Sequence, residues 1–496
     1  MKAMVYYGKN DLRFEERPKP IIIEPTDALI RLTKTTICGT DLGIWKGKNP
    51  EIEKIAKEKY GSFNGRILGH EGIGIVEEVG SAVKRWKKGD KVIISCVGHC
   101  GQCENCQKQL YSHCLSEGGS WILGYMIDGT HAEYVRTPFA DNSLYPLPEE
   151  LDTDIAVLLS DILPTAHEIG VQYGDIKPGQ TIAIIGAGPI GLSNVLTSQL
   201  YSPAQIIVVD LDDNRLQIAK EIGATNVINS GITDAVSEIM KITDERGVDC
   251  AIEAVGHPLT WDICQKIVKE GGHIANVGVH GQSVNFEIEK LWIKNMTITT
   301  GLVNTNTTNM LLKACCSGKL NAQKLATHHF KFTEIEKAYD VFKNATDYNA
   351  IKVMAPGEKK LLKHSLEQDG FTQPVVVSEE KEHYLVVDGF HRQLLGREAG
   401  TGKRLRGWLP VTCINPERKG QAARMAATIR HNRARGKHQI TSMSDIVRDL
   451  SRLGWSDERI GTELGMDQDE VLRLKQISGL TELFQDENFS PAWTVR

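Results

Sequence analysis

The stretch "CVGHCGQCENCQKQLYSHC" (96–114) contains five cysteines in nineteen residues. Four of them follow the pattern C-x2-C-x2-C-x7-C: Cys100, Cys103, Cys106 and Cys114. Two-residue gaps let successive thiolates turn toward one ion, and four thiolates complete a tetrahedron around zinc. The pattern therefore predicts a structural zinc site that stabilises a polar loop. An iron–sulfur cluster and free surface cysteines are the alternatives.

The composition places limits on the class of protein. The chain has 496 residues, 41% hydrophobic and 24% charged, which predicts two to four folding units of ordinary globular character. No apolar run reaches the roughly 18 residues of a membrane span, and the N-terminus "MKAMVYYGKNDLRFEE" has no apolar signal core. We expect a cytoplasmic protein whose eleven cysteines bind metal or are buried, rather than forming disulfides.

A short strand, a glycine turn and a helix follow one another in "QTIAIIGAGPIGLSNVLTSQL" (180–200). This is the context in which a G-x-G-x-x-G turn binds a dinucleotide pyrophosphate at a helix N-terminus. The residues of the predicted turn are Gly186, Gly188, Pro189, Ile190 and Gly191. A second strand, "QIIVVD" (205–210), ends in Asp210, whose carboxylate would bind the adenosine ribose hydroxyls. NAD is therefore predicted in preference to NADP.

Residues 1–355 resemble the zinc-dependent medium-chain alcohol dehydrogenases. The resemblance rests on the cysteine loop and on "GRILGHEGIGIVEEVG" (65–80). It implies that Cys38, His70 and Asp161 bind a catalytic zinc. Three protein ligands leave a fourth position for water or substrate.

The resemblance also implies roles for residues around that zinc. Thr40 would accept the alcohol proton, and Asp41 would orient His70. Glu71 would either approach the metal or form a salt bridge beneath the site. Gly43 stands where relatives carry the last histidine of a proton relay. Cys96 would either widen the substrate pocket or fill the core.

Further residues of this region are candidates for contacts with the dinucleotide. Arg215 would bind the adenosine ribose, with a solvated surface position as the alternative. The strands "DCAIEAVG" (249–256) and "HIANVGV" (273–279) would extend the parallel sheet. The residues that would contact the nicotinamide half at their ends are Val255, Val277 and Val279, unless they only pack in the core.

The last 140 residues differ in composition from the rest of the chain. Residues between Lys403 and Lys437 include ten basic side chains and one acidic side chain, Glu417. The segment "EKKLLKHSLEQDGFTQPVVVSEEKEHYLVVDGFHRQLLGREAG" predicts helix, strand, strand, helix and resembles the ParB/sulfiredoxin-like fold, although the opening strand of that fold is replaced by the last dehydrogenase strand. Asp388, His391 and Arg392 are the candidate phosphate-binding residues, with a tight capped turn as the alternative.

Two further segments of the tail point to DNA. "ATIRHNRARGKH" (427–438) resembles the second ParB motif, and "SDERIGTELGMDQDEVLRLKQ" (456–476) has helix-turn-helix spacing. The predicted core positions are Ile460, Leu464, Val471 and Leu474, with Gly465 at the turn. A helix-turn-helix beside clustered basic residues is typical of DNA-backbone contact. A helical bundle with a solvated basic face is the alternative.

The predicted fold class is α/β. We expect a GroES-like β-rich catalytic domain (1–162 and 305–355), a Rossmann domain with a doubly wound parallel sheet (163–304), a partial α+β ParB-like module (357–420) and a helical, helix-turn-helix-like tail (421–496). The predicted function is NAD-dependent, reversible oxidation of a primary or secondary alcohol by a homo-oligomer, a dimer or tetramer, whose tail is a candidate to bind DNA. The alternatives are a DNA-associated regulator with a dehydrogenase-derived scaffold, and an inert C-terminal fusion.

Overall fold

A computed structural model describes residues 1–356, 375–379, 384–388, 411–413, 450–451, 456–464 and 471. The chain divides into two units, Met1–Gly357 and Glu358–Arg496. Each unit is described by itself. No helix among the described residues is long and apolar enough to cross a membrane.

The strands of the larger unit are short and mostly buried. They are β1 (Lys2–Gly8), β2 (Asp11–Glu16), β3 (Ala28–Thr36), β4 (Arg66–Ile67), β5 (Gly72–Val79), β6 (Lys91–Ile94), β7 (Tyr134–Thr137), β8 (Leu144–Pro146), β9 (Thr181–Ile185), β10 (Gln205–Asp210), β11 (Asn226–Asn229), β12 (Val248–Glu253), β13 (Val268–Asn276), β14 (Thr297–Thr300), β15 (Ala326–His329) and β16 (Lys352–Pro356).

The helices of the same unit connect these strands. The α-helices are α1 (Gly39–Trp45), α2 (Glu51–Tyr60), α3 (Glu104–Gln107), α4 (Ala140–Ser143), α5 (Thr153–Leu158), α6 (Ile162–Thr165), α7 (Pro189–Ser198), α8 (Asp213–Glu221), α9 (Ala235–Ile242), α10 (Pro258–Ile267), α11 (Ile288–Leu291), α12 (Thr308–Cys316) and α13 (Ile335–Lys343). A π-helical segment, Ala166–Gln172, continues α6. Short 3-10 segments lie at Tyr111–His113, Gln199–Tyr201, Trp292–Lys294, Gln323–Leu325 and Phe332–Glu334.

One sheet of seven strands joins the beginning and the end of the larger unit. Its order is β15-β16-β3-β5-β6-β8, and β7 also pairs with β3. Strand β16 runs parallel to β15 and antiparallel to β3. The last strand of the unit therefore completes a sheet in which most of the other strands come from residues 28–146. A smaller sheet, β2-β1-β4, lies beside it in the same unit.

A second sheet of six parallel strands has the order β11-β10-β9-β12-β13-β14. Strand β9 reads TIAII and β10 reads QIIVVD, and their apolar residues are buried. Near-continuous apolar runs of this kind are typical of parallel strands covered on both faces. The predicted strand–turn–helix over 180–200 is confirmed as β9 followed by α7.

Two strands of this sheet end earlier than the sequence predicted. Strand β12 ends at Glu253 rather than 256, because the Glu253 carboxylate accepts hydrogen bonds from the N–H groups of Val255 and Gly256 at 3.1 and 2.9 Å. Strand β13 ends at Asn276 rather than 279, since the N–H groups of Val277 and Gly278 turn to the Glu253 carbonyl. Val255 and Val279 consequently lie in loops.

The two large sheets share one hydrophobic cluster. Ile73 and Ile93 from the seven-stranded sheet are buried in the same cluster as Ile184 and Val208 from the parallel sheet. The short helix α6 and the residues just before it supply further members of this cluster. The segment that carries Asp161 is therefore fixed between the two sheets.

The smaller unit contains three described strands and one described helix. Strands β17 (Val375–Glu379) and β18 (Tyr384–Asp388) are antiparallel, which confirms the two predicted strands. Strand β19 (Val411–Cys413) adds to β17 in parallel and was not predicted.

The helix α14 (Asp457–Leu464) confirms the first helix of the predicted helix-turn-helix. Ile460 and Val471 are fully buried, as predicted. Asp388 ends β18, and the side chains of Asp388 and Leu464 are outside the described set. The remaining residues of the predicted phosphate-binding turn, basic segment and helix-turn-helix lie outside the described residues: His391, Arg392, 427–438, Gly465 and Leu474.

Candidate metal centres and dinucleotide site

Three separate segments bring four metal-binding side chains together. Cys38 precedes α1, His70 and Glu71 precede β5, and Asp161 precedes α6. One ligand atom from each side chain lies within 4.8 Å of the others. His70 Nε2 and Asp161 Oδ2 are 3.3 Å apart. The sequence prediction of Cys38, His70 and Asp161 as one cluster thus agrees with the geometry.

Asp41 lies beneath this cluster and is fully buried. Its carboxylate accepts hydrogen bonds from the N–H groups of Cys38 at 2.8 Å and Gly69 at 3.1 Å, and it lies 3.6 Å from His70 Nδ1. Burial would raise the pKa of Asp41, but His70 and His131 outweigh burial and hold that pKa well below its ordinary value. Asp41 therefore fixes the backbone on both sides of the cluster and faces the imidazole, as predicted.

Glu71 forms the salt bridge that was one of its two predicted roles. Its Oε1 accepts a hydrogen bond from Lys352 Nζ at 2.7 Å, and neither side chain is exposed. Burial raises the pKa of the Glu71 carboxyl, and Glu71 raises the pKa of Lys352 against the opposing effect of burial. Glu71 Oε2 has no hydrogen-bond partner, although it is buried beside Cys38 and His70. One carboxylate oxygen of Glu71 is thus paired with Lys352, and the other is an acceptor without a partner that faces the ligand cluster.

The donor set fits a zinc ion. It offers sulfur from Cys38, nitrogen from His70 and oxygen from Asp161, a mixed set that zinc accepts in catalytic sites. The buried Glu71 Oε2 beside it has no hydrogen-bond partner. Buried polar atoms are rarely left without one, so a cation at this position explains the arrangement.

Several residues of this site escaped the sequence analysis. His131 is fully buried, with Nε2 3.9 Å from Asp41 Oδ2. Its Nε2 donates a hydrogen bond to the Thr36 carbonyl at 3.1 Å, and its Nδ1 accepts one from the Tyr339 hydroxyl at 2.9 Å. Trp121 lies edge-on to His70 with 5.8 Å between ring centroids. A lysine inside the apolar strand "AIKVM" was the available signal for Lys352. His131 and Tyr339 carried no such signal.

The cysteine loop forms a second cluster. Cys100 Sγ is 3.8 Å from Cys106 Sγ, and Cys103 Sγ is 4.0 Å from Cys114 Sγ. All four sulfurs lie within 4.8 Å of one another. Hydrogen bonds from Ser116 and from the N–H groups of Gln102 and Cys103 outweigh burial and lower the pKa of Cys100 from 9.0 to about 6. Backbone N–H donors of this kind stabilise thiolates around a metal.

The glycine turn has the shape that a dinucleotide needs. Gly186 has a φ of +108°, and a Cβ on Gly191 would lie 1.8 Å from the Gly186 carbonyl oxygen. A Cβ on Gly188 would meet nothing within 4 Å, so open space faces the N-terminus of α7. Pro189 is the first residue of that helix and Ile190 the second. This open helix N-terminus is a site for a pyrophosphate.

Asp210 lies next to this turn at the end of β10. Its Oδ2 accepts a hydrogen bond from the Ala187 N–H at 2.6 Å, and its Oδ1 accepts from the Leu211 and Asp212 N–H groups. Arg215 lies in the first turn of α8, with Nε 3.9 Å from the Asp212 carboxylate. Among the valines at the strand ends, Val255 is 51% and Val279 is 86% exposed, whereas Val277 packs partly against the core. Val255 and Val279 are thus accessible to a ligand.

Comparison with known families agrees with the metal clusters and the dinucleotide site. A model of the alcohol dehydrogenase GroES-like domain matches residues 24–149, and a zinc-binding dehydrogenase model matches residues 189–315. An alcohol dehydrogenase of Cupriavidus necator is 34% identical over 366 residues, covering 70% of this chain and 96% of the relative. This chain belongs to the zinc-type medium-chain alcohol dehydrogenase family. Zinc and NAD or NADP are the cofactors expected of such an oxidoreductase.

Solved structures of alcohol dehydrogenases have a fold similar to that of this chain. The apo form of zinc-dependent alcohol dehydrogenase 2 from Streptococcus pneumonia is 53% identical, with a TM-score of 0.67, and covers 72% of this dehydrogenase and 99% of that chain. The predicted GroES-like and Rossmann-type fold is thereby confirmed.

The C-terminal part has relatives of its own. A model of the IbrB-like C-terminal HTH domain matches residues 438–486, which confirms the predicted helix-turn-helix. The uncharacterized protein YbdM of Escherichia coli is 61% identical over 152 residues, covering 30% of this dehydrogenase and 71% of that protein.

Proposed function

We propose that this dehydrogenase oxidises primary or secondary alcohols reversibly to aldehydes or ketones, with NAD as the hydride acceptor. The convergence of Cys38, His70 and Asp161 on one point carries this proposal. The complete ligand set disfavours the alternative, a regulator in which the dehydrogenase part is only a scaffold.

The residues divide the chemistry among them. Cys38, His70 and Asp161 would hold a catalytic zinc, which would supply a Lewis acid that lowers the pKa of the alcohol. The Thr40 hydroxyl, 3.8 Å from Cys38 Sγ, would accept the alcohol proton. Glu71 supports the ligand set from below through Lys352. The four loop cysteines would hold a structural zinc.

The assay is NADH formation with a panel of primary, secondary and aromatic alcohols, together with metal analysis. We expect two zinc ions per chain in the wild type and one in a Cys38→Ala variant, which should also lose NADH formation. A wild-type chain that holds two zincs but reduces no NAD with any alcohol would contradict the proposal.

The preference for NAD over NADP rests on Asp210. A carboxylate at the end of the second strand repels a 2′-phosphate and accepts ribose hydroxyl hydrogen bonds. Arg215, Val255, Val277 and Val279 are the further proposed cofactor contacts. An Asp210→Ser variant should raise KM for NAD and reduce discrimination against NADP, while an exposed Asp244→Ser change should do neither.

We assign residues 1–162 and 305–355 to the catalytic domain and 163–304 to the dinucleotide-binding domain.

A homo-oligomer is proposed because β14 is an edge strand of the parallel sheet and large apolar side chains near it are exposed. These exposed side chains are Ile288, Trp292, Ile293 and Ile298. The molar mass of the protein in solution tests whether it is a dimer or a tetramer rather than a monomer. A cytoplasmic location suits the reduced cysteines that both metal centres need.

A second activity, DNA binding, is proposed for the C-terminal unit. The helix-turn-helix match at 438–486 and the ten basic residues between Lys403 and Lys437 support it. We further propose a ParB-like module at 357–420 and a helical tail at 421–496. Retention of the full chain on duplex DNA should fall steeply as salt rises. If the full chain is not retained on immobilised duplex DNA even at low salt, DNA binding is contradicted, while the dehydrogenase proposal is unaffected.

A further inference from the structure

Cys96 is a buried cysteine that neither metal cluster includes. It follows β6, is 2% exposed, and packs with Val97 and Val303 and against Trp121. Its Sγ lies 3.6 Å from Asp161 Oδ1, within the range of a thiol hydrogen bond to a carboxylate. Its backbone N–H also donates to the Ser160 carbonyl at 3.0 Å. Both contacts fasten Cys96 to the segment that carries a zinc ligand.

The two oxygens of Asp161 have different surroundings. The Thr165 hydroxyl donates to Oδ1 at 2.6 Å, and the Cys96 thiol approaches the same oxygen. Oδ2 instead faces His70 Nε2 at 3.3 Å, on the side of the ligand cluster. Two donors on one oxygen leave the other oxygen directed at the metal position.

The two donors have different effects on Asp161. Thr165 is four residues further along the same helical segment, so it moves together with Asp161. Cys96 comes from the end of β6, which pairs with β5, the strand that begins just after His70 and Glu71. Of these two donors, only Cys96 ties the Asp161 side chain to the strands next to the other ligands, while the Ser160 hydroxyl ties the neighbouring backbone to Gly72 of β5.

We infer that Cys96 is a positioning residue, which donates a thiol hydrogen bond to Asp161 Oδ1 and thereby holds Asp161 to zinc binding through Oδ2 alone. The inference rests on the proposed catalytic zinc at Cys38, His70 and Asp161. Hydrogen bonds to metal-binding side chains orient them, and their loss typically costs about 10–100-fold in metal affinity. Cys96 therefore sets the affinity and geometry of this zinc without binding it.

The test compares variants of the full chain by zinc release to a chromophoric chelator. Cys96→Ala removes the donor, Cys96→Ser retains a donor at nearly the same volume, and Cys315→Ala removes a buried cysteine from α12. We expect Cys96→Ala to weaken binding of one of the two zincs about tenfold, Cys96→Ser to stay within about threefold of wild type, and Cys315→Ala to have no effect. Equal losses in Cys96→Ala and Cys96→Ser, or none in either, would overturn the inference.

Cobalt substitution supplies an independent readout. In Cys96→Ala, the ligand-field bands of cobalt should shift, while the thiolate-to-cobalt charge-transfer band from Cys38 keeps its intensity. A large fall in that band would overturn the inference, because it would make Cys96 a ligand. If the wild type binds only one zinc, the proposed catalytic zinc site itself is contradicted, whatever the role of Cys96. Two wild-type zincs with unchanged release from Cys96→Ala would count against the role of Cys96 alone.

Discussion

At the scale of single residues, the buried ion pair of Glu71 and Lys352 is expected to contribute strongly to the stability of the fold. Lys352→Met leaves the Glu71 carboxylate buried without its partner, and breaking such a pair costs about 3–5 kcal/mol of unfolding free energy. Adding Glu71→Gln should recover part of that loss. The matched control is Lys324→Met, which breaks an exposed pair with Glu221 and should cost under about 1 kcal/mol. Denaturant unfolding of the four proteins measures these differences, and a Lys352→Met variant as stable as wild type would contradict them.

Gly43 makes a prediction about the pH dependence of catalysis. The resemblance to the dehydrogenase family implies a histidine at this position as the last base of a proton relay. Here a Cβ would meet only Asn49 and Lys48, both at 4.0 Å. A side chain therefore has room at this position of α1. We expect wild-type activity to fall more steeply at low pH than that of Gly43→His, because a histidine accepts the proton near its own pKa of about 6.5. Superimposable pH–rate profiles for the two proteins would contradict the prediction.

The residues that sequence analysis found and missed differ in a physical way. Cys38, His70 and Asp161 were identifiable because each stands within a motif of the resembled family. Lys352 and Glu71 are 281 residues apart, and only the pairing of β16 with β3 brings them together. The contact of Cys96 with Asp161 likewise depends on packing between segments. Such contacts are absent from local patterns, which is why the partners of Glu71 and Cys96 were not predicted, although both residues were named.

At the scale of elements, we expect the cysteine loop to depend on the proposed structural zinc. Cys103→Ala would remove one of the four proposed ligands in residues 100–114, a loop that contains only one four-residue helix and one 3-10 turn. We expect the zinc content to fall from two to one per chain and residues 100–114 to become the first site of proteolysis. Cys316→Ala, an exposed cysteine on α12, is the control that should change neither. Retention of two zincs by Cys103→Ala would rule out this ligand set.

Helix α5 is joined to two strands through Asp154, which pairs with Lys34 of β3 and with His329 of β15. Burial would raise the pKa of Asp154, but hydrogen bonds from His329 and Lys34 outweigh it and lower the pKa from 3.8 to about 2. A lowered carboxyl pKa stabilises the fold above the unfolded-state pKa, and the benefit is lost as the pH falls from about 4 toward 2.

The corresponding variant is Asp154→Asn. We expect it to be about 1–2 kcal/mol less stable than wild type at pH 6, with the difference narrowing below pH 4, as measured by urea unfolding across pH. Asp262→Asn, which breaks an exposed pair with Lys266, should have a smaller effect at pH 6. A difference that stays constant down to pH 3 would show that Asp154 stabilises the protein by packing alone.

At the scale of the whole molecule, the boundary between the two units predicts where the chain can be cut. Every described strand of the dehydrogenase sheets, both metal clusters and Lys352 lie within Met1–Gly357. We expect a protein of residues 1–357 to keep its zinc content and alcohol oxidation and to lose DNA retention. A protein of residues 1–349 lacks β16 and the partner of Glu71, and it should be insoluble or inactive. Equal activity of both truncations would contradict the role assigned to β16.

The position of β16 between β15 and β3 also has a consequence for synthesis on the ribosome. The partner of Glu71 arrives 281 residues later, which at about 5–20 residues per second is on the order of 15–60 s. During that interval residues 34–36 of β3, which β7 does not cover, have no neighbouring strand on that edge. Synthesis of residues 358–496 then takes roughly another 7–28 s at the same rate, so β16 can complete the sheet while the appended unit is still being made.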